Sequence, residues 1–184
     1  SPVSINLTSP YFLIVYDDTR LSIIEELTGR LSVYNEAVTD APLKELGTGI
    51  LSIQYSDDGK KLLYYTGNEI SVYFNQDWEA QPFRAKDSIV QVARFSTPIK
   101  NIQWAEDYEH VIFSLGKNIK MIELDHRDKR DLTDILTLEV LPLQILSRFG
   151  TDRLYIVLES ATDATGNTVF SITLPQYTTN LFGR

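Results

Sequence analysis

Apolar and polar residues alternate along much of this chain with a period of two. Leu51, Ile53 and Tyr55 are separated by Ser52 and Gln54, and Ile102 and Trp104 flank Gln103. That spacing puts every apolar side chain of a strand on one face of a sheet. Shorter continuous apolar runs follow: Leu62 to Tyr65, Val111 to Leu115, and Leu154 to Leu158. Runs of this length, rich in aromatic and β-branched residues, predict strands buried on both faces. Tyr11 to Tyr16 is a further run of this kind and is expected to be buried in the same way.

The breaks between these stretches carry turn chemistry. Ser56-Asp57-Asp58-Gly59 offers a glycine where a tight turn needs positive φ. Gly67-Asn68 and Gly116-Lys117 read as two-residue hairpin loops with glycine first, and Thr28-Gly29-Arg30 separates Leu21–Leu27 from Leu31–Tyr34. Val3–Leu7 reads as an edge strand and residues 35–49 as a linker, with no periodic support for a helix at Glu36-Ala37-Val38. Third strands are expected at Ile70–Phe74 and Ile119–Leu124, and fourth strands at Ile89–Phe95 and Leu132–Val140. In the last unit, Phe170, Ile172 and Leu174 are expected to point inward. The tail from Pro175 has no clear pattern.

The elements repeat. Residues 101–124 slide back 49 positions onto 52–75 without a gap, placing Trp104 on Tyr55, Phe113 on Tyr64 and Gly116 on Gly67. A second step of 49 lays Leu62–Tyr65 on Leu13–Tyr16, and Ile70 and Val72 on Leu21 and Ile23. The approximate units are 1-49, 50-98, 99-141 and 142-184 of a single 1-184 domain. Four short antiparallel strands in about 45 residues are the size of one propeller blade. A two-layer sandwich would expose one face of each sheet, so its strands should alternate throughout. Second strands apolar on both faces favour blades stacked side by side. The expected fold is therefore all-β: a β-propeller-like array of about four antiparallel four-stranded blades. Four is the low end for propellers, and the first unit lacks an obvious full inner strand. An incomplete propeller, with an open blade face free for self-association, is therefore expected.

The third unit reads W-A-E-D at 104–107, V-I-F-S at 111–114, I-K-M-I-E-L-D at 119–125 and R-D-L-T at 130–133. It resembles the TolB-type, WD40-like (PD40) blade of bacterial propellers: W-S-P-D-G-K, an apolar run, I-W-V-x-D-x-D-G, then R-x-L-T. Tyr55 to Lys60 is similar to the first half of that pattern. The sequence departs from it at Asp58, Glu106 and Tyr108, the last standing for glycine, and the fourth unit keeps little. The likeness is good over about residues 50–135. It implies a propeller of the kind found in bacterial envelope proteins that pair such blades with PEGA modules, hence an extracytoplasmic or cell-envelope location. It implies a fold and no particular activity.

Composition narrows the function further. The 184 residues are 43% hydrophobic and 23% charged, as in ordinary globular chains. The formal net charge of −8 argues against nucleic acid as a partner. There is no cysteine, so thiol catalysis and thiolate metal sites are out. No apolar run reaches the ~18 residues of a membrane span. The start, Ser1-Pro2, carries no basic-then-apolar leader and reads as trimmed.

No constellation for catalysis stands out. The G-x-S-x-G, H-E-x-x-H, Walker and dinucleotide patterns are all missing. His110 opens a buried strand and reads as structural. His126 lies in the Asp125–Asp128 turn beside no nucleophile. Asp17-Asp18 and Asp57-Asp58 could offer carboxylates to a hard cation, but lack calcium-loop spacing and read as turns. Asp163, Thr165 and Asn167 alternate on a longer loop without a full ligand set. Lys117, Lys120, Arg127, Lys129 and Arg130 are interleaved with acids and read as a solvated rim. Trp104 is expected in packing, whereas Trp78, in a loop with Phe83, is the better surface aromatic. No catalytic, cofactor or metal residue is therefore assigned, and the binding residues are left open. The expectation is a non-catalytic binding scaffold whose blade-end loops hold a protein, peptide or glycan. The alternative is an accessory propeller of a larger hydrolase of the prolyl-oligopeptidase kind.

Overall fold

The computed structural model describes residues 4–127, 129–148, 150–159 and 166–174. Among these there is no helix, and fifteen strands form four antiparallel sheets. The first holds β1 (Tyr11–Val15), β2 (Arg20–Glu25), β3 (Leu31–Asn35) and β4 (Leu43–Gly47) in chain order. The second holds β5 (Ser52–Tyr55), β6 (Lys61–Tyr65), β7 (Glu69–Phe74) and β8 (Ile89–Arg94). The third holds β9 (Ile99–Trp104), β10 (His110–Leu115), β11 (Asn118–Glu123) and β12 (Leu132–Thr137). The fourth holds β13 (Gln144–Arg148), β14 (Arg153–Glu159) and β15 (Asn167–Thr173). The chain divides into two compact units, residues 1–95 and 96–184, with two sheets each.

In the first unit, Ile24, Leu31 and Val33 of the first sheet pack with Leu62, Tyr64 and Tyr73 of the second, and Ile50 joins them. In the second unit, Ile112, Ile119 and Met121 pack with Ile145, Leu154 and Ile156. Phe170, Ile172 and Leu174 close that core from one side, as their alternation predicts. Each such side chain, once buried, contributes about 1.5–3 kcal/mol. The middle strands β6 and β10 are buried on both faces, which is the blade-like burial expected of them. Trp104 is fully buried, with Tyr108 edge-on to its ring at 6.0 Å.

The turns follow their chemistry with one exception. Gly59 (φ 63) and Gly116 (φ 61) both take the left-handed conformation. Gly116 does so at the first position of a two-residue loop between Leu115 and Asn118, as the type II′ pattern requires. Gly67 does not have positive φ. That turn is held by Thr66, whose hydroxyl accepts from the N–H groups of Asn68 and Glu69. Tyr108 stands where the second sheet has Gly59 and adopts the same left-handed backbone, with φ 53. Its N–H donates to the Ala105 carbonyl, as that of Gly59 does to Ser56.

The first sheet and the segment before it correct five expectations. Tyr11–Val15 is not buried: Tyr11 is 49% exposed, Phe12 57%, Leu13 54% and Val15 67%. It is the edge strand of its sheet, so only Ile14 reaches the core and the outer edge meets no strand among the described residues. The counterpart of β6 is therefore β2, which moves the first repeat step from 49 to 41 positions, Arg20 to Lys61. With β1 counted, the first sheet has four strands and lacks none. The linker at 35–49 contains β4, whose single bulge, between Leu31 and Ser32 of its partner, blurs the alternation. Residues 4–7 form no strand, and Val3 lies outside the described residues. In the third sheet, β12 ends at Thr137 rather than Val140, leaving Val140 and Leu141 exposed.

Candidate binding cleft

In an antiparallel four-stranded meander, the turn between strands one and two and the loop between strands three and four lie at the same end. In the first unit this gathers the β1–β2 turn, the β3–β4 loop, the β5–β6 turn and the long β7–β8 loop. Between them is a cleft of about 780 Å³ lined by Arg20, Asn35, Lys60, Asn75, Trp78 and Lys86, among others. A smaller pocket of about 270 Å³ shares Arg20, Asn35 and Asn75 and reaches Lys44, Tyr55, Tyr73 and Asp87.

Arg20 is fixed from three sides. Its Nε and Nη2 donate to Asp17 Oδ2 at 2.8 and 2.5 Å, and its Nη1 donates to the Gly59 carbonyl at 3.1 Å. The guanidinium lies 4.8 Å from the Tyr16 ring centroid, and that ring is 4.8 Å from Tyr55. The hydrogen bonds from Arg20 hold the Asp17 carboxyl well below the usual range. Asn75 donates to the same Gly59 carbonyl at 3.0 Å. One backbone oxygen thus ties the turn of the first sheet to the β5–β6 turn and the start of the β7–β8 loop of the second.

The β7–β8 loop carries its own scaffold. Trp78 and Arg84 exchange backbone hydrogen bonds of 2.8 and 3.1 Å. The Gln81–Pro82 peptide is cis at the loop's far end. Asp77 accepts from the Lys86 N–H at 2.7 Å. Beneath the loop, the buried Lys61 places its Nζ 3.9 Å from the Trp78 ring centroid. Trp78 is half-buried on this support. At the loop's return, Tyr73 donates to Asp87 Oδ1 at 2.5 Å and Lys44 Nζ donates to the Asp87 carbonyl at 2.8 Å. Burial, then the hydrogen bond to Asp87, push the Tyr73 phenol up. It therefore stays a neutral donor.

Of the residues the sequence singles out, the structure puts only Trp78 in this cleft. Phe83 is exposed on the same loop outside the lining, and Trp104 is core. The aspartates are turn residues: Asp17 Oδ1 accepts from the N–H groups of Thr19 and Arg20, and Asp58 Oδ1 from that of Lys60. No group of three metal-ligating side chains occurs among the described residues. His110 Nδ1 is 2.6 Å from Asp107 Oδ2. Burial alone would lower the His110 pKa; the hydrogen bond and charge of Asp107 prevail and raise it. His126 is exposed in its turn, where Arg127 pairs with Asp125 and holds that carboxyl at about 2. Lys120 pairs with Asp134 at 2.5 Å, and Lys117 Nζ donates to the Glu139 carbonyl at 2.6 Å, which fits a solvated rim. Lys129 is exposed and Arg130 half-buried. Asp163 and Thr165 lie outside the described residues, and Asn167 begins β15.

The cleft residues Arg20, Asn35 and Asn75 carry no motif. A signal for Arg20 was nevertheless present. Asp17 and Arg20, Asp58 and Lys61, and Asp107 and His110 share the pattern Asp-x-x-basic at the entry to β2, β6 and β10. In the first and third pairs the two side chains meet directly.

A scan against protein-family models gives no match, and a search of curated proteins gives none either. Solved structures do match. The β-propeller domain of Cps50 (Swd1) from Myceliophteria thermophila aligns at TM-score 0.55 and 13% identity, over 79% of this chain and 50% of that one. Kluyveromyces lactis Hsv2 aligns at TM-score 0.52 and 12% identity, over 86% and 47%. The yeast Nup82–Nup159–Nup116 nucleoporin complex aligns at TM-score 0.52 and 15% identity, over 91% and 43%. The chain thus spans about half the length of these structures, and its fold is that of β-propeller blades. No helix among the described residues is long and apolar enough to cross a membrane.

Proposed function

We propose that this chain is a non-catalytic β-propeller binding domain and that the cleft of the first unit receives an extended peptide segment of a protein partner. The observation that carries this is the pairing of a supported aromatic, Trp78 over Lys61, with a pre-positioned guanidinium, Arg20, across one cleft. Trp and Arg are the side chains that most often dominate binding energy when held in place. Their prior fixation reduces the entropy lost on binding. Backbone carbonyls and amides of a peptide match the mixed lining of asparagine, lysine and acidic side chains. The non-catalytic reading rests on the side chains at hand. The Thr19 hydroxyl donates to Asp17, but that carboxylate also accepts from the Thr19 and Arg20 N–H groups and is held low by Arg20, so it is a turn-forming acceptor and a poor base. Location in the cell envelope rests on the resemblance to TolB-type blades, and fractionation of the native protein tests it.

The binding test is selection of a phage-displayed random peptide library on the full chain, followed by Trp78→Ala and Arg20→Ala. Enriched peptides should lose at least about tenfold in affinity on either variant, or ~1.4 kcal/mol. Peptides that bind both variants as tightly as the parent would remove the cleft from the proposal. A glycan array that responds where no peptide is enriched would replace the peptide with a sugar.

A further inference from the structure

The geometry points to β1 as a self-complementary edge that pairs, antiparallel and centred on Leu13, with β1 of a second copy of this chain. β1 is the edge strand of its sheet. The Tyr16 N–H donates to the Arg20 carbonyl and the Glu26 N–H to the Pro10 carbonyl. With the register Tyr11↔Glu25 to Val15↔Leu21, these bonds mark the even-numbered residues as the ones bonded to β2. The N–H and C=O groups of Tyr11, Leu13 and Val15 therefore point to the open edge. Such an edge is a template for another strand.

What selects a second copy is the charge and register of the strand itself. The chain carries a net charge of −8, yet residues 1–16 contain no charged side chain. Pairing about Leu13 sets Leu13 against Leu13, Tyr11 against Val15 and Phe12 against Ile14. These are the aromatic–branched and apolar pairs that stabilise antiparallel ladders, by roughly 0.2–1 kcal/mol each. Beyond the strand, Asp17 and Asp18 would face Ser9 and Thr8 of the other copy, so no like charges meet. The exposed apolar surface of Tyr11, Phe12, Leu13 and Val15 would be shared between the copies. Lys and Pro, which natural edges use to block such pairing, are missing between Tyr11 and Tyr16.

The chain has no cysteine, so one introduced thiol reports the register. In this pairing the Leu13 residues form a hydrogen-bonded pair with Cα atoms about 5.5 Å apart, within the range of about 4.4–6.8 Å that a disulfide spans. Two copies of Phe12 lie beyond that range. Under mild oxidation L13C should give a covalent dimer and F12C should not. Light scattering on the unmodified 184-residue chain should show the mass doubling as concentration rises. Leu13→Lys should abolish the doubling while leaving the far-ultraviolet dichroism unchanged. A chain that stays monomeric at every concentration would overturn the proposal. So would equal cross-linking of L13C and F12C, or a folded Leu13→Lys variant that still dimerises.

Discussion

The Tyr16 hydroxyl donates to the Asp57 carbonyl at 2.8 Å, and this lays the Tyr16 ring directly against Gly59. A Cβ built on Gly59 would sit 2.1 Å from Tyr16 Cε1, closer than any side chain tolerates. Gly59 is thus required twice, by its positive φ and by the ring above it.

Gly116 separates those two requirements. It has nearly the same φ as Gly59, but no atom lies within 4 Å of a Cβ placed there. Gly116→Ala should cost about 1 kcal/mol, the backbone term alone. Gly59→Ala should cost more, about 2–3 kcal/mol, because Tyr16 must also move. Urea unfolding of both variants checks the order; equal losses would mean that the ring yields freely.

At Tyr108 the usual ranking of alanine over glycine should reverse. Both Tyr108→Ala and Tyr108→Gly lose the edge-on contact with Trp104. Only the alanine variant keeps a Cβ on a residue with φ 53. The glycine variant should therefore be the more stable of the two by about 1 kcal/mol. Thermal or urea midpoints would show it, and an alanine variant as stable as the glycine one would refute it.

His110 and Asp107 make stability depend on pH in a defined direction. The folded His110 pKa is raised above its ordinary 6.5, so its contribution is complete below about pH 6.5 and lost as pH rises through the folded value. Asp107 is lowered, so its contribution is present above its ordinary value near 3.8 and lost as pH falls through the folded one. The stability gap between the parent and His110→Gln should be widest between about pH 4 and 6.5 and shrink on the alkaline side. A gap that is constant from pH 5 to 9 would mean that the imidazole is neutral throughout.

The two tryptophans should report different surroundings. Trp104 is fully buried, and Trp78 is half-buried at the cleft with Lys61 beneath it. With Trp104→Phe, the remaining emission should be red-shifted and quenched by iodide. With Trp78→Phe it should be blue-shifted and protected. Equal quenching of both variants would contradict the burial on which the cleft depends.

The strands of the second and third sheets could be read directly from the chain. The alternation in Ser52–Tyr55, the turn at Asp58-Gly59 and the loop at Gly116-Lys117 depend on interactions a few residues apart; Leu51, expected on the same face as Ile53 and Tyr55, lies before β5 and is exposed. Side-chain period and positive φ are local properties, so local sequence determined them. The two-sided burial of β6 and β10 was also legible, because runs so apolar have no polar face to offer water. The same reasoning failed at Tyr11–Val15, which is equally apolar yet exposed. Burial depends on what packs against a strand, and the edge position of β1 was settled only when β2 paired with its other side. The cleft belongs wholly to tertiary structure. Arg20 and Asn35 come from the first sheet and Asn75 and Trp78 from the β7–β8 loop of the second; only Arg20 carries a recurring spacing, Asp-x-x-basic, and that pattern marks a turn, not a cleft. They meet because an antiparallel meander returns its first turn and its last loop to the same end, and because one carbonyl, that of Gly59, accepts from both Arg20 and Asn75.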